Sequence, residues 1–215
     1  MSERIDVLES VYADNEKRAA DLGRELTARN VFCVNVMGAP GVGKTTVLTC
    51  LIKELGLPAF VIEGDITSDI DTRKLTSLGI AAKQINTNGA CHLDASVIAK
   101  ALEDVDFANG LLFIENIGNL ICPVGFSLGE HAVILLSCVT EGGDKPWKYP
   151  AAFEKADLIL LNKCDLLPYV DFDMEFYSKG VRKLNPVAPV HLVSGKTGHG
   201  FDEVIKWLRT KVPVG

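Results

Sequence analysis

The chain has 215 residues, which suits one domain with a hydrophobic core large enough to need no disulfide bonds. Hydrophobic residues make up 47% and charged residues 23%, as in an ordinary soluble globular protein. The formal net charge of −6 argues against a general nucleic-acid binder. No apolar run is long enough to span a membrane, and residues 1–6 lack the features of a secretion signal. We therefore expect a cytoplasmic protein with no nucleic-acid or membrane partner and no disulfide framework among its six cysteines.

Hydrophobic periodicity predicts helices and strands that alternate along most of the chain. Residues 5–29 carry apolar side chains at helical spacing, which predicts one or two amphipathic helices lying against the main domain. In chain order there follow a strand at 31–37, a helix at 46–55, a strand at 57–63, a helix start at 67–75, a weaker strand at 80–85, a helix at 92–102, strands at 111–116 and 132–137, a short helix at 151–156, a strand at 158–161, a helix at 172–184, a strand at 187–193 and a helix at 201–211. This order predicts an α/β fold, with a mostly parallel sheet and helices on both faces. The expected division is an N-terminal helical segment at 1–30, packed on a single domain at 31–215.

Residues 38–45, with the sequence GAPGVGKT, match the P-loop pattern G-x-x-x-x-G-K-[ST] at every fixed position. They lie between a predicted strand and a predicted helix, the context this motif requires, and indicate a P-loop NTPase. Glycines let backbone N–H groups turn inward around a phosphate chain, and the helix N-terminus adds to the attraction. We expect Lys44 to reach the β- and γ-phosphates and Thr45 to bind Mg²⁺. The candidate phosphate-binding residues are Gly38, Pro40, Gly41, Val42, Gly43, Lys44, Thr45 and Thr46. The alternative is a glycine-rich turn that binds nothing.

A second motif, residues 162–165 with the sequence NKCD, resembles the N-K-x-D element that recognises guanine in GTPases. Asp165 could accept hydrogen bonds from the guanine N1–H and N2–H₂ groups, which adenine lacks at those positions. The stem of Lys163 would pack on the base, and Asn162 would tie this loop to the P-loop. After the last strand, Ser194, Gly195 and Lys196 resemble the S-A-K element, whose backbone amide contacts the guanine O6. Because the two motifs follow a P-loop in this order, GTP and GDP are the expected ligands.

Acidic residues and a glycine follow two of the predicted strands. Glu115 ends an apolar run and matches a Walker-B acid, and Asp65 lies just beyond the strand at 57–63, so both are expected at the Mg²⁺ site with Thr45. Asp65 could instead cap the next helix. Gly118 is expected to be the switch glycine whose N–H meets the γ-phosphate. The residues expected to act in hydrolysis are Lys44, Asp65, Glu115 and Gly118. No arginine or glutamine is obviously placed to orient the attacking water, so intrinsic hydrolysis should be slow.

Two short stretches, residues 88–92 (NGACH) and 119–123 (NLICP), carry a second chemical signal. Cys91, His92 and Cys122 offer two thiolates and one imidazole, which suit Ni²⁺ or Zn²⁺. Tetrahedral or square-planar coordination needs four ligands, so a symmetric dimer could complete such a site from two copies. The alternative is that both cysteines are small apolar residues of the core and that His92 caps a helix.

From about residue 31 onward, the order of these pieces resembles the hydrogenase nickel-incorporation GTPases, the HypB family. Residues 63–65 (EGD), 115–123 (ENIGNLICP) and 144–150 (DKPWKYP) add to the resemblance. It implies a GTPase domain at 31–215 that dimerises with GTP bound and holds Ni²⁺ or Zn²⁺ with the residues matching Cys91, His92 and Cys122. It also implies a metallochaperone that serves the [NiFe] hydrogenase large subunit together with a HypA-type nickel chaperone. An N-terminal cysteine motif and a histidine-rich tract, which some members carry, are absent, so nickel storage there is not expected.

Two other functions are compatible with the nucleotide motifs. The urease accessory GTPase has related chemistry, but its usual C-P-H triplet is absent here. A regulatory GTPase without a metal role would leave Cys91 and Cys122 with no ligand. The loop at 142–147 could cross to a partner's nucleotide, form an interface or be a solvated turn. Since Cys122 lies only four residues beyond Gly118, a switch that closes on the γ-phosphate should move a metal ligand.

Overall fold

The computed structural model of this chain describes residues 7–65, 69–87 and 89–212, and residues 7–10 by their backbone alone. Within these residues the strands are β1 (Val31–Gly38), β2 (Ala59–Asp65), β3 (Ala81–Asn86), β4 (Gly110–Glu115), β5 (Ala132–Cys138), β6 (Leu158–Asn162) and β7 (Val190–Leu192). The helices are α1 (Val7–Ala28), α2 (Lys44–Leu55), α3 (Ile70–Ser77), α4 (Ala95–Leu102), α5 (Lys145–Lys148), α6 (Pro150–Lys155), α7 (Met174–Leu184) and α8 (Asp202–Arg209). Short 3-10 turns cover Cys122–Gly125, Val139–Glu141 and Cys164–Tyr169. None of the helices in the described part of the chain is long and apolar enough to cross a membrane.

The seven strands form one sheet in the order β3-β2-β4-β1-β5-β6-β7, with every neighbouring pair parallel. Because the strands all point the same way, their carboxyl ends meet at one edge of the sheet. In the central β1–β4 pair Val36 lies beside Glu115, and the N–H of Asn116 donates to the Val36 carbonyl over 3.0 Å. This register brings Glu115 to the end of β1, where the P-loop begins.

Alternate residues of the strands pack into helix layers on opposite faces of the sheet, because successive side chains of a strand point in opposite directions. Val34 and Val36 belong to a buried cluster that includes residues of α2, α3 and α8. Cys33 belongs to a second cluster with residues of α1 and α4, and Met37 to a third with residues of α6 and α7. Burial on both faces explains why the sequences of β4, β5 and β6 are continuous apolar runs.

The predicted fold class is confirmed. Some elements begin at other residues than predicted, and in two cases a single residue explains the difference. β2 begins at Ala59 because Pro58 has no N–H; the Pro58 carbonyl accepts from the N–H of Leu111 over 2.9 Å. α4 begins at Ala95 rather than 92, because the side chain of Asp94 caps it by accepting from the Val97 N–H. The beginning of the helix predicted at 67–75 lies outside the described residues, which resume before α3.

The N-terminal helical segment consists of one helix, α1, in the part of the chain that the structure describes. Leu22 and Leu26 of this helix are buried in the cluster that also contains α4. The side chain of Asn15 is buried as well, and its Oδ1 accepts from the N–H of Ala95 over 2.9 Å. Its Nδ2 donates to the Ser127 carbonyl, also over 2.9 Å. One amide of α1 therefore joins the start of α4 to the loop that precedes β5.

The loop at 142–147 folds back on its own chain, and its last residues belong to the short helix α5. The Trp147 ring stacks on Phe176 of α7 with the ring centres 5.3 Å apart, and its Nε1 donates to the Phe176 carbonyl. Gly180 makes room for this ring, because a Cβ atom there would lie 2.8 Å from the Trp147 Nε1. Lys145 forms an ion pair with Glu141 over 3.5 Å. The structure thus places the aromatic residue of this loop against α7 of the same chain.

At the amino-terminal edge of the sheet, His131 is held by two hydrogen bonds. Its Nδ1 accepts from the backbone N–H of Cys33 over 2.8 Å, and its Nε2 lies 2.8 Å from the hydroxyl oxygen of Thr27. Partial burial lowers the pKa of His131 below its usual value of 6.5, although the Gly23 backbone and Glu130 act in the opposite direction. Protonation of Nδ1 would also remove its hydrogen bond with Cys33. The neutral ring is therefore the form that suits the folded protein.

We expect this histidine to make the protein less stable in acid. Since its pKa is lower in the folded than in the unfolded chain, its contribution to stability is present above pH 6.5 and is lost as the pH falls towards the folded pKa. The variant His131→Asn keeps an acceptor for the Cys33 N–H but cannot titrate. Its urea-unfolding midpoint should fall less on acidification than that of wild type, whereas His199→Asn, at an exposed loop position, should follow wild type. Equal losses in all three proteins would contradict the prediction.

Candidate nucleotide and metal site

The P-loop leaves β1 at Gly38 and turns through two glycines before α2 begins at Lys44. Gly41 and Gly43 have φ angles of 73° and 99°, a left-handed conformation that glycine adopts readily and other residues avoid. A Cβ atom on Gly43 would also lie only 2.6 Å from the Nδ2 of Asn162. No side chain caps the start of α2, so its first N–H groups remain for a ligand. These features describe an anion-binding helix N-terminus.

A cavity of about 260 Å³ lies in front of this helix. It is lined by Lys44 and by the acids at the carboxyl ends of β2 and β4. Its lining residues are Pro40, Gly41, Lys44, Glu63, Gly64, Asp65, Asp71, Glu115, Asn116, Ile117 and Gly118. Gly118 lies directly against the P-loop, since a Cβ atom there would be 3.0 Å from Pro40. Some of the candidate phosphate-binding and magnesium-binding residues and the candidate switch glycine thus line one space, namely Pro40, Gly41, Lys44, Asp65, Glu115 and Gly118.

Glu115 is one of the buried acids of this cavity, with 4% of its surface exposed. Its Oε1 accepts from the Thr45 hydroxyl over 2.9 Å, while its Oε2 has no hydrogen-bond partner within the described part of the chain. Burial raises the pKa of Glu115 to about 7, and the nearby Lys44 ammonium opposes this rise. A buried carboxylate oxygen without a partner, beside a hydroxyl and facing a cavity, fits the oxygen ligands that Mg²⁺ takes. The residues present therefore fit a magnesium ion.

Glu63, Asp71 and Asn116 also line the cavity, and no site role was predicted for them from the sequence. Glu63 is 3% exposed, and its Oε2 accepts from the Thr72 hydroxyl over 3.0 Å. Burial raises the pKa of Glu63 to about 7, the Thr72 hydrogen bond lowers it, and the neighbouring Glu115 raises it further. Its position near the carboxyl end of a buried strand was the signal in the sequence that could have identified it.

A second cavity, of about 320 Å³, adjoins the P-loop on the side of β6 and β7. Its lining residues are Gly43, Thr46, Asn162, Lys163, Asp165, Leu166, Ser194, Gly195 and Lys196. Except for Leu166, all of these are residues predicted to bind nucleotide. The hydroxyl of Ser194 donates to the Oδ1 of Asp165 over 2.6 Å, which orients the carboxylate. The cavity thus combines an oriented carboxylate with a lysine stem and the P-loop.

Asn162 connects the three loops that form this cavity. It is buried, its Nδ2 donates to the Val42 carbonyl over 2.8 Å, and its Oδ1 accepts from the N–H of Gly195 over 3.1 Å. Lys163, in the left-handed region with φ of 61°, donates from Nζ to the Gly41 carbonyl over 2.7 Å at the surface. The loops after β1, β6 and β7 are therefore held together by side chains of residues 162 and 163.

Cys91 lies close to both of the other predicted metal ligands. The Sγ of Cys91 is 3.5 Å from the Nδ1 of His92, and a hydrogen bond with Cys122 is the main cause that raises the pKa of the exposed Cys91 thiol. The His92 ring stacks on Phe126 with ring centres 3.9 Å apart, and Phe126 in turn contacts Tyr12 of α1. Across the described ranges, no group of three or more His, Cys, Asp or Glu side chains is arranged to hold a metal ion. Asn88, which precedes this stretch, lies outside those ranges.

The parallel sheet, the P-loop and the two adjoining cavities define a P-loop nucleotide-binding protein. The family model described as CobW/HypB/UreG, nucleotide-binding domain, matches residues 32–192. The chain is 44% identical over 211 residues to the hydrogenase maturation factor HypB of Azotobacter chroococcum mcd 1, a match that covers 96% of this chain and 69% of that protein. The chain therefore belongs to the HypB family of hydrogenase maturation factors.

Two solved structures of HypB proteins are similar to this one over nearly their whole length. The crystal structure of HypB from Helicobacter pylori in complex with nickel has a TM-score of 0.85 at 35% identity, and the match covers 92% of this chain and 94% of that chain. HypB from Archaeoglobus fulgidus has a TM-score of 0.86 at 38% identity, covering 94% of this chain and 100% of that chain.

We expect Asn162→Ala to lower the free energy of unfolding by about 2 kcal/mol, because it leaves two backbone groups in a buried place without their partner. The matched control Lys163→Met removes a hydrogen bond at the surface and should change the free energy of unfolding by no more than about 0.5 kcal/mol. Urea unfolding of the nucleotide-free protein measures both values. Similar losses in the two variants would show that Asn162 does not hold the loops together.

Proposed function

We propose that this chain binds and slowly hydrolyses GTP with Mg²⁺, and that the bound nucleotide controls its hold on Ni²⁺ during maturation of [NiFe] hydrogenase. One observation carries this proposal. The segment 115–122 begins at the buried carboxylate of the phosphate cavity, passes the P-loop at Gly118 and ends at Cys122, whose thiol contacts Cys91. A change at the γ-phosphate and a change at the thiol pair therefore involve the same eight residues of backbone.

Guanine would be selected in the cavity beside β6 and β7. Asp165, oriented by Ser194, would accept from the N1–H and N2–H₂ groups of the base, and a backbone N–H of residues 194–196 would donate to its O6. The Lys163 stem would cover one face of the ring, and Asn162 would hold this cavity next to the phosphates. An adenine base would place an unprotonated N1 against the Asp165 carboxylate, which leaves a buried acceptor unpaired.

The triphosphate would lie along the P-loop, with Lys44 at the β- and γ-phosphates and the N–H of Gly118 at the γ-phosphate. Thr45, Asp65 and Glu115 would hold Mg²⁺, which when bound neutralises charge on the phosphate oxygens. The protein's own groups would orient the chain of phosphates for attack by water. The described lining of this cavity contains no arginine or glutamine, which supports a slow intrinsic rate of hydrolysis.

The cargo would be held by Cys91, His92 and Cys122, a set of thiolates and an imidazole that suits Ni²⁺ and also Zn²⁺. Three ligands from one chain leave a four-coordinate site one ligand short. We propose that a second copy supplies the rest in a GTP-dependent homodimer. The exposed Cys91 and the neighbouring Ile121, which is 69% exposed, are accessible to such a copy. A HypA-type nickel chaperone and the hydrogenase large subunit are the proposed partners in delivery.

The guanine assignment is tested by exchanging one acceptor for a donor. In Asp165→Asn the new NH₂ group opposes the guanine N2–H₂ group but can donate to the O2 of xanthine. We expect a loss of GTP affinity of about tenfold to a hundredfold and a gain for xanthosine triphosphate, both measured by calorimetry. Asp171→Asn, at an exposed loop position, should leave both affinities unchanged. A variant that still prefers GTP would disprove the role of Asp165.

The metal function is tested by measuring Ni²⁺ binding with GDP and with a non-hydrolysable GTP analogue. Wild type should show different affinities in the two states, and Cys91→Ala and Cys122→Ala should each weaken Ni²⁺ binding at least about tenfold through loss of one thiolate. Cys50→Ser on α2 is the matched control, because the serine hydroxyl can still donate to the Gly195 carbonyl. This variant should bind Ni²⁺ as wild type does. Unchanged metal binding in both cysteine variants would favour a regulatory GTPase without a metal role.

A further inference from the structure

Asn119 lies between the proposed switch glycine, Gly118, and the proposed metal ligand Cys122. Its backbone pairs with Gly38, the last residue of β1 and the first of the P-loop, in an antiparallel bridge. Its side chain is half-buried and makes one hydrogen bond at each end of the amide. The Nδ2 donates to the carbonyl of Cys91 over 3.2 Å, and the Oδ1 accepts from the N–H of Ile121 over 2.9 Å.

These two contacts join both loops that carry the thiols. The Oδ1 contact shapes the turn that leads into Cys122, and the Nδ2 contact holds the backbone of Cys91 itself. The two thiols lie beside each other. The amide of Asn119 therefore links the loop that carries Cys122 to the backbone of Cys91.

A second amide, Asn15, holds the same region from α1 and not from the P-loop, through Ala95 and Ser127. Asn119 differs because its main chain is paired with Gly38 and follows Gly118, which packs against Pro40. A displacement of Gly118 would therefore displace the main chain of Asn119, and its side chain would carry the displacement to Cys91. The two hydrogen bonds of the Asn15 side chain reach Ala95 and Ser127, and neither residue belongs to the P-loop.

We infer that Asn119 is a positioning residue that sets the separation of Cys91 and Cys122 and makes it depend on the nucleotide. This inference rests on the proposed function, because it assumes that these thiols bind Ni²⁺ and that Gly118 responds to the γ-phosphate. It adds the residue through which the two events are linked. The side chain of Asn119 does not line the phosphate cavity, so GTP hydrolysis itself does not require it.

Two substitutions separate the contacts of this amide. Asn119→Asp keeps an acceptor for the Ile121 N–H but faces the Cys91 carbonyl with a second acceptor, so it releases only the Cys91 loop. Asn119→Ala releases both loops. Asn15→Ala is the matched control, since it loosens the same loops from α1 without touching the link to the P-loop. Cooperative urea unfolding would verify that all three variants are folded.

The first measurement is the ratio of the Ni²⁺ dissociation constants with GDP and with a non-hydrolysable GTP analogue. Both Asn119 variants should bring this ratio close to one, with metal-free GTP hydrolysis within about twofold of wild type. Asn15→Ala should change both dissociation constants together and keep their ratio. A wild-type ratio retained in Asn119→Asp overturns the inference and leaves the proposed function standing. A ratio of one in wild type overturns the proposed function, and the nucleotide dependence inferred for Asn119 with it.

The second measurement is independent of nickel and nucleotide. Diamide oxidises two neighbouring thiols to a disulfide and is itself reduced, and mass spectrometry of the digested protein detects the Cys91–Cys122 product. Asn119→Ala and Asn119→Asp should form this product at least about fivefold more slowly than wild type. The reason is that the hydrogen bond from Asn119 to the Cys91 carbonyl, which keeps the two thiol loops together, is lost in both variants. An unchanged rate in both variants would show that Asn119 does not position the thiols.

Discussion

The hydrogen bond from Thr45 to Glu115 is the interaction on which the rest of this site depends. It joins the first turn of α2 to the end of β4, and it forms because the parallel register of β1 and β4 brings Glu115 to the place where the P-loop begins. The candidate phosphate cavity lies beside this contact, and the segment that leads to Cys122 begins at Glu115 and lines the cavity as far as Gly118. A shift of the register by one residue would turn Glu115 to the opposite face of the sheet and would separate its carboxylate from the Thr45 hydroxyl.

The acids at this edge are held in a state that favours a bound cation. Glu63 and Glu115 are buried close to each other, and burial raises the pKa of both to about 7. Two such carboxylates are poorly accommodated as charged groups without a counter-ion, since the interior solvates charge weakly. A divalent cation at the unpartnered Oε2 of Glu115 would supply the missing positive charge. The same burial that disfavours the charged carboxylates would thus favour the proposed Mg²⁺ beside them.

Amide side chains, rather than ion pairs, hold the functional loops in place. Asn162 joins the P-loop to the loop after β7, Asn15 joins α1 to the start of α4 and to the loop before β5, and Asn119 joins the two thiol loops. An amide carries both a donor and an acceptor, so it can satisfy the backbone of two segments without placing a charge in a buried position. This property would suit loops that lie near the proposed nucleotide and metal ion, because it places no further charge there.

The sequence by itself determined the fold class, the P-loop and the order of the motifs, because each depends on residues that are close together in the chain. Glycine spacing, apolar runs and the residues that follow them are local patterns, and strand ends of a parallel sheet converge whatever the loops do. Only the tertiary structure decided that Glu63, Asp71 and Leu166 line the cavities, that Trp147 folds back on α7, and that Asn119 contacts Cys91. It also decided that His92 stacks on Phe126. These features depend on pairs of side chains brought together across the sheet edge, and no local pattern in the sequence specifies which distant residue will be the partner.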